Sequence, residues 1–161
     1  MSVLAELDRF SDERFLALYE ALSDRGFGPL DGEVAKALKF RPQAIKKLPF
    51  EKRARHAQAL MKRGQNAELC YEFFGSYLVK TKRDLVTTFL DKTGVPHEEG
   101  LIADGEDAQP APEKVEQAVT DLDLAFEPDD VTLYLALALE QWPEHEKLRE
   151  VYRRRVETAR A

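Results

Sequence analysis

Apolar residues recur in this chain at the spacing of an α-helix almost from end to end, and that period limits the fold more than any other property. Leu4 and Leu7, then Phe15, Leu18, Tyr19 and Leu22, then Phe50, Ala54, Ala57, Leu60 and Met61 each fall on one helical face. No stretch of alternating β-branched residues bounded by turn residues interrupts the pattern. Helices with one apolar stripe have to bury it against one another. The expected fold is therefore all-α, a single compact multi-helix domain over residues 1–161, with about seven to nine helices in helical-hairpin or bundle packing.

Local signals place the boundaries. Ser11 before Asp12 and Glu13 reads as a helix start, and Gly26 with Gly28-Pro29 as the stop. Asp31 suits the cap of a helix carrying Val34, Ala35 and Leu38, which Pro42 interrupts or restarts. Pro49 fits the first turn of the next helix, and Gly64 its end. From Asn66 to Thr93 the stripe stays in register through Leu69, Cys70, Phe73, Phe74, Tyr77, Leu78, Leu85, Val86, Phe89 and Leu90. A straight helix of that length would run about 42 Å, roughly the diameter of the whole domain, so a bend or break is expected near Gly75 or Thr81. Gly94, Val95 and Pro96 read as a helix close in which glycine turns left-handed and valine folds back. An acidic loop around 98–112, punctuated by Gly100, Gly105, Pro110 and Pro112, is expected to be exposed and mobile. Val115, Val119, Leu122 and Phe126 mark a helix that Pro128 ends. Asp129 and Asp130 begin another with Val131, Leu133, Tyr134, Leu137 and Leu139, and Trp142-Pro143 separates it from a last helix with Leu148, Val151, Tyr152 and Val156.

Charge is sorted along this helical frame. Residues 34–63 hold ten Lys/Arg against Glu51 alone, and residues 98–130 hold twelve Asp/Glu against Lys114 alone. The first block puts Arg41, Lys46, Lys47, Lys52, Arg53, Arg55, Lys62 and Arg63 forward as residues that bind an acidic partner or a phosphoanion, because a cationic helix face can neutralise phosphates or carboxylates. Aromatics are not interleaved with these cations, and neither a helix-turn-helix signature nor a glycine-rich phosphate loop is present. The overall charge of −6 weighs against a dedicated nucleic-acid binder.

His97, Glu98 and Glu99 supply an imidazole and two carboxylates, the raw material of a metal site or an acid/base pair. Adjacent residues of one loop seldom converge on one ion, and His56 and His145 are distant in sequence. Such a histidine more often fixes a loop by hydrogen bonding. Ser76, Thr87 and Thr88 lack a nucleophile-elbow context, and Asp121 and Asp123, two apart on a helix, face different ways. The Arg153-Arg154-Arg155 run suits the negative end of a last helix. Cys70, alone on an apolar stripe, reads as a core thiol. No catalytic set and no cofactor is assigned.

No segment has the ~20 consecutive apolar residues of a membrane helix, and the N-terminus, with Glu6, Asp8, Asp12 and Glu13, does not read as a signal peptide. The expected compartment is the cytoplasm, with no membrane partner.

Arg41-Pro42, Leu48-Pro49 with Arg53 following, Phe89-Leu90-Asp91, Gly94, and His97-Glu98-Glu99-Gly100 before Leu101-Ile102 form a series of short motifs. On these, residues 41–102 resemble a group of uncharacterised bacterial all-helical proteins. The resemblance implies a bacterial origin and a compact helical domain, and brings no activity, cofactor or catalytic residue with it.

The reading that best fits the sequence is a non-enzymatic helical protein-interaction module, an adaptor or scaffold acting through a protein partner or self-association. The alternative is a nucleic-acid or phosphoanion-binding protein using the basic 41–63 segment. A second alternative is a metal-binding or hydrolytic enzyme centred on residues 97–99.

Overall fold

Every regular element of the computed structural model is an α-helix among the described residues, which are 2–22, 28–39, 41–102 and 107–160, with only the backbone of Pro42 and Gln43. In order these are α1 (Ser2–Arg9), α2 (Asp12–Leu22), α3 (Gly28–Ala37), the single turn α4 (Pro42–Ile45), α5 (Phe50–Gly64), α6 (Ala67–Thr81), α7 (Arg83–Thr93), α8 (Pro112–Ala125), α9 (Pro128–Gln141) and α10 (Glu146–Arg160). The expected all-α class holds. No helix among the described residues is long and apolar enough to cross a membrane. Backbone packing groups the chain into two compact units, residues 3–77 and 78–161.

In the first unit, Ser11 caps α2 as its sequence implies: its Oγ accepts the Arg14 N–H at 3.1 Å. The expected stop at Gly26 lies outside the described residues. Gly28 and Pro29 open α3 instead of closing α2, because proline's fixed φ and missing N–H suit a first helical turn. That places Asp31 inside α3 rather than at its cap. Pro42 restarts the chain in α4, and Pro49 stands one residue before α5. Gly64 is the last residue of α5, and Gln65, at φ 48°, makes the left-handed turn that ends it. The core is aromatic: Phe15 stacks on Phe73 with centroids 5.2 Å apart, Phe10 meets Phe74 at 5.1 Å, and Tyr19 meets Phe50 at 5.2 Å. Ala54, Ala57 and Met61 of α5 are buried, and burying a side chain like Met61 stabilises by roughly 1.5–3 kcal/mol.

The helix expected over 66–93 is broken at Lys82, where φ −131° and ψ 38° leave the helical region, while Gly75 stays helical within α6. In the second unit α7 closes as its residues imply. Gly94 sits at φ 78°, the Val95 N–H bonds the Leu90 carbonyl at 2.9 Å, and the valine is buried. Pro128 begins α9 as well as ending the preceding segment, and Phe126 lies extended beyond α8.

Helix α9 is buried at every position from Val131 to Leu139, a run in which Thr132 and Tyr134 alone carry polar atoms in their side chains. Helices α8 and α10 both pack on it, and Phe89 of α7 meets Tyr134 edge-on at 5.1 Å.

The described part of the loop expected to be mobile is held at three points. Trp142 Nε1 donates to the Ala108 carbonyl at 3.2 Å, the Ala111 N–H donates to the Thr93 carbonyl at 3.0 Å, and His145 Nε2 donates to the Pro110 carbonyl at 2.7 Å. Residues 107–112 are thus fixed by α7 and by the turn before α10. Gly105 lies outside the described residues.

Arg155 of α10 ties three helices together. Its guanidinium grips both Asp123 oxygens of α8 at 2.6 and 2.9 Å, the Thr132 hydroxyl of α9 at 3.0 Å and the Pro128 carbonyl at 3.0 Å. Arg155→Ala leaves those acceptors without their donor, and the expected loss is about 1–2 kcal/mol given the partial exposure of the pair. Urea unfolding followed by circular dichroism measures it.

Candidate interaction surface

Burial of one stripe of α5 decides where its cations point. Arg53, Ala54, Ala57, Gln58 and Met61 face inward, and Lys52, Arg55, Ala59 and Arg63 share the opposite, exposed side. From Lys52 to Arg63 this row runs about 16 Å along the axis. Arg41 at the start of α4, and Lys46 and Lys47 at its end, are exposed as well. Lys62 is half-buried, with its Nζ donating to the Phe10 carbonyl at 3.4 Å. Among the described residues, none of these eight cations forms an ion pair with a carboxylate.

Arg53 does not belong to the exposed face. Only 4% exposed, it carries its guanidinium 5.1 Å from the Phe50 ring centre and 6.0 Å from that of Tyr19. Its Nε has no hydrogen-bond partner among the described residues. Four residues before Ala57, it occupies the inward arc of α5, and the rings there cover the cation.

Beside it, the Tyr19 hydroxyl donates to Asp31 Oδ1. Burial pushes the Asp31 carboxyl above its ordinary range, and the Tyr19 bond, Arg53 and Lys46 only partly offset that. Burial, reinforced by Asp31, also pushes the Tyr19 phenol up.

In the second unit six of the eleven Lys/Arg are in ion pairs among the described residues. Lys82 pairs with Asp130 at 3.9 Å, Arg83 with Glu99 at 3.4 Å, and Lys92 with Asp121 at 3.0 Å. Lys147 reaches Glu116 and Glu150 at 3.5 and 3.3 Å, and Arg154 also binds Glu116. The Arg154 bond holds the Glu116 carboxyl below its ordinary range, and the Lys92 bond does the same for Asp121. Asp121 and Asp123 do face apart, toward α7 and α10 respectively. The arginine run is mid-helix instead of at the terminus of α10, where Arg154 and Arg155 each meet a carboxylate of α8.

The second sequence-derived cluster does not converge. His97 Nε2 lies 2.6 Å from Asp91 Oδ1, and its Nδ1 accepts the Gly100 N–H at 2.9 Å, so both ring nitrogens are engaged in fixing the loop. Glu99, at φ 52°, and Gly100, at φ 91°, turn the chain between Glu98 and Leu101, and Glu99 points to Arg83. Among the described residues no group of three His, Cys, Asp or Glu side chains could hold a metal ion. Cys70 is fully buried, with its thiol pushed up to about 11 by burial and by Asp8, so it stays protonated and unreactive at neutral pH.

Two features escaped the sequence reading. One is the Tyr19–Asp31–Arg53 group. The other is His145, whose Nδ1 accepts the Leu148 N–H at 3.2 Å and caps α10 while its other nitrogen holds Pro110. His145 lines a cleft of about 520 Å³ walled by Pro110, Ala111 and Pro112 and edged by Glu144, Glu146 and Glu150.

No protein-family model, curated protein or solved structure matches the chain.

A carboxyl whose folded pKa is raised binds more protons folded than unfolded, so its contribution to stability falls as pH climbs from the ordinary carboxylate range through the raised value. Asp31→Asn keeps an acceptor for Tyr19 and removes the charge. The variant is expected to lose less stability than the parent over that rise, measured as urea midpoints across a pH series.

Proposed function

We propose that the chain is a non-enzymatic interaction module of the cytoplasm that docks an acidic protein partner on the exposed cations of α4 and α5. The observation that carries this reading is that the cations left without an ion pair in the first unit include a continuous row on one helix side. Lys82, Lys92, Lys147, Arg154 and Arg155 of the second unit each have a carboxylate beside them, whereas among the described residues Arg41, Lys47, Lys52, Arg55 and Arg63 have none and Lys46 meets Asp31 only beyond ion-pair distance. Unneutralised charge of one sign speeds encounter with a partner of the other sign and fixes its register. Arg53 takes no direct part, since the Phe50 and Tyr19 rings enclose it.

A phosphate backbone would meet the same row. Against it stand the overall charge of −6 and the absence of any Phe, Tyr or Trp between Glu51 and Arg63 on which a base could stack. Contact with about five phosphates would give a log-affinity slope near −4.5 against log salt on duplex DNA.

Fluorescence anisotropy of the full chain with a labelled oligoglutamate peptide and a labelled DNA duplex, in about 50 mM salt, separates these readings. The peptide is expected to bind. Combined Lys52→Glu, Arg55→Glu and Arg63→Glu substitutions should weaken it at least about tenfold, whereas Arg53→Met leaves it within about twofold. Binding of the duplex alone would favour the phosphate reading, and binding of neither would overturn both.

A further inference from the structure

We infer that the acidic partner of the α4–α5 face is a second copy of this chain, docking through the cleft beside the starts of α8 and α10. The inference rests on the docking reading above and names the occupant. It comes from charge complementarity within one sequence. Residues 3–77 hold 13 Lys/Arg against 11 Asp/Glu, a net of +2, and residues 78–161 hold 11 against 19, a net of −8. Much of that surplus of acid is already used on the second unit's own cations. Of what is left over, Glu144 and Glu146 line one cleft and Glu113 follows its Pro112 wall; all three are exposed and, among the described residues, in no ion pair, as are Asp84, Glu98, Glu127 and Glu157 elsewhere on the unit.

The cleft has the chemistry of a long cationic side chain. Pro110, Ala111 and Pro112 offer an apolar wall for an aliphatic stem, while Glu144 and Glu146 stand at the rim for the charged head. Lys147 also lines it, but its ammonium is held by Glu116 and Glu150. The positive ends of α8 and α10 are countered by Glu113 and Glu146 in their first turns, and the His145 ring satisfies the Leu148 amide. On the other copy, Lys52, Arg55 and Arg63 stand in a row along one exposed side of a helix, so neighbouring heads can reach the rim together. Each copy carries both the acidic surface and the basic row, so one sequence supplies both sides of the contact.

Sedimentation velocity on the full chain tests this. In about 50 mM salt the mass is expected to rise above the monomer's 18.4 kDa with concentration, and to return to it in about 500 mM salt. Arg55→Glu with Arg63→Glu, and separately Glu144→Lys with Glu146→Lys, should each weaken association at least about tenfold. Mixing the two variants restores it, because each then meets a partner of opposite sign, and that rescue excludes misfolding as the cause. A wild-type chain that stays monomeric at low salt, or variants that associate as the parent does, would overturn the inference. If such a monomeric chain still binds oligoglutamate, the docking reading survives without the self-association; if it binds neither, both fall.

Discussion

What the first unit presents to its surroundings follows from the burial of one stripe of α5. Ala54, Ala57 and Met61 are buried, and a helix with 3.6 residues per turn then has no choice about Lys52, Arg55 and Arg63. Turning the helix to hide the cations would expose Met61 and open the aromatic core around Phe15, Tyr19 and Phe73. The cationic row is therefore held by the same packing that holds the unit together. A surface fixed in this way keeps its geometry before a partner arrives, which lowers the ordering cost of binding.

The second unit solves a different problem. Its central helix α9 is apolar around its circumference, so α7, α8 and α10 have to cover it and their charged residues meet one another at close quarters. Arg155 with Asp123, Lys92 with Asp121 and Arg154 with Glu116 are the outcome. Exposed pairs such as Arg154 with Glu116 add little stability in water, but each removes a cation and an anion from the set available to a partner. Part of the acid left over, Glu113, Glu144 and Glu146, lies around the turn before α10 and the start of α8, where helix N-termini favour carboxylates.

Much of this was legible in the residues. Helical periodicity fixed the class, Ser11 and Gly94 behaved as their side chains require, and the break in the long helix fell at the second of its two expected positions. The errors have physical reasons. Gly28-Pro29 reads equally as a stop or as a first turn, because proline tolerates both. Residue type alone places Arg53 on the surface, although its position four before Ala57 puts it on the buried arc; the rings of Phe50 and Tyr19 explain how a cation is accommodated there. The loop at 107–112 read as mobile because nothing local holds it, and its anchors, Trp142 and His145, are more than thirty residues away. Contacts of that range leave no periodic trace in a sequence.

The central claim is that folding pairs Lys82, Lys92 and Lys147 of the second unit with carboxylates and leaves the exposed cations of α4 and α5, Arg53 and Lys62 not among them, without an ion pair. Site-resolved amine labelling tests it most directly: brief acetylation of the folded, dilute protein in high salt, read by mass spectrometry at each lysine. Lys46, Lys47 and Lys52 are predicted to react before Lys82, Lys92 and Lys147, whose ammonium groups sit on carboxylates. Protection of Lys46, Lys47 and Lys52 to the level of Lys147 would contradict the account.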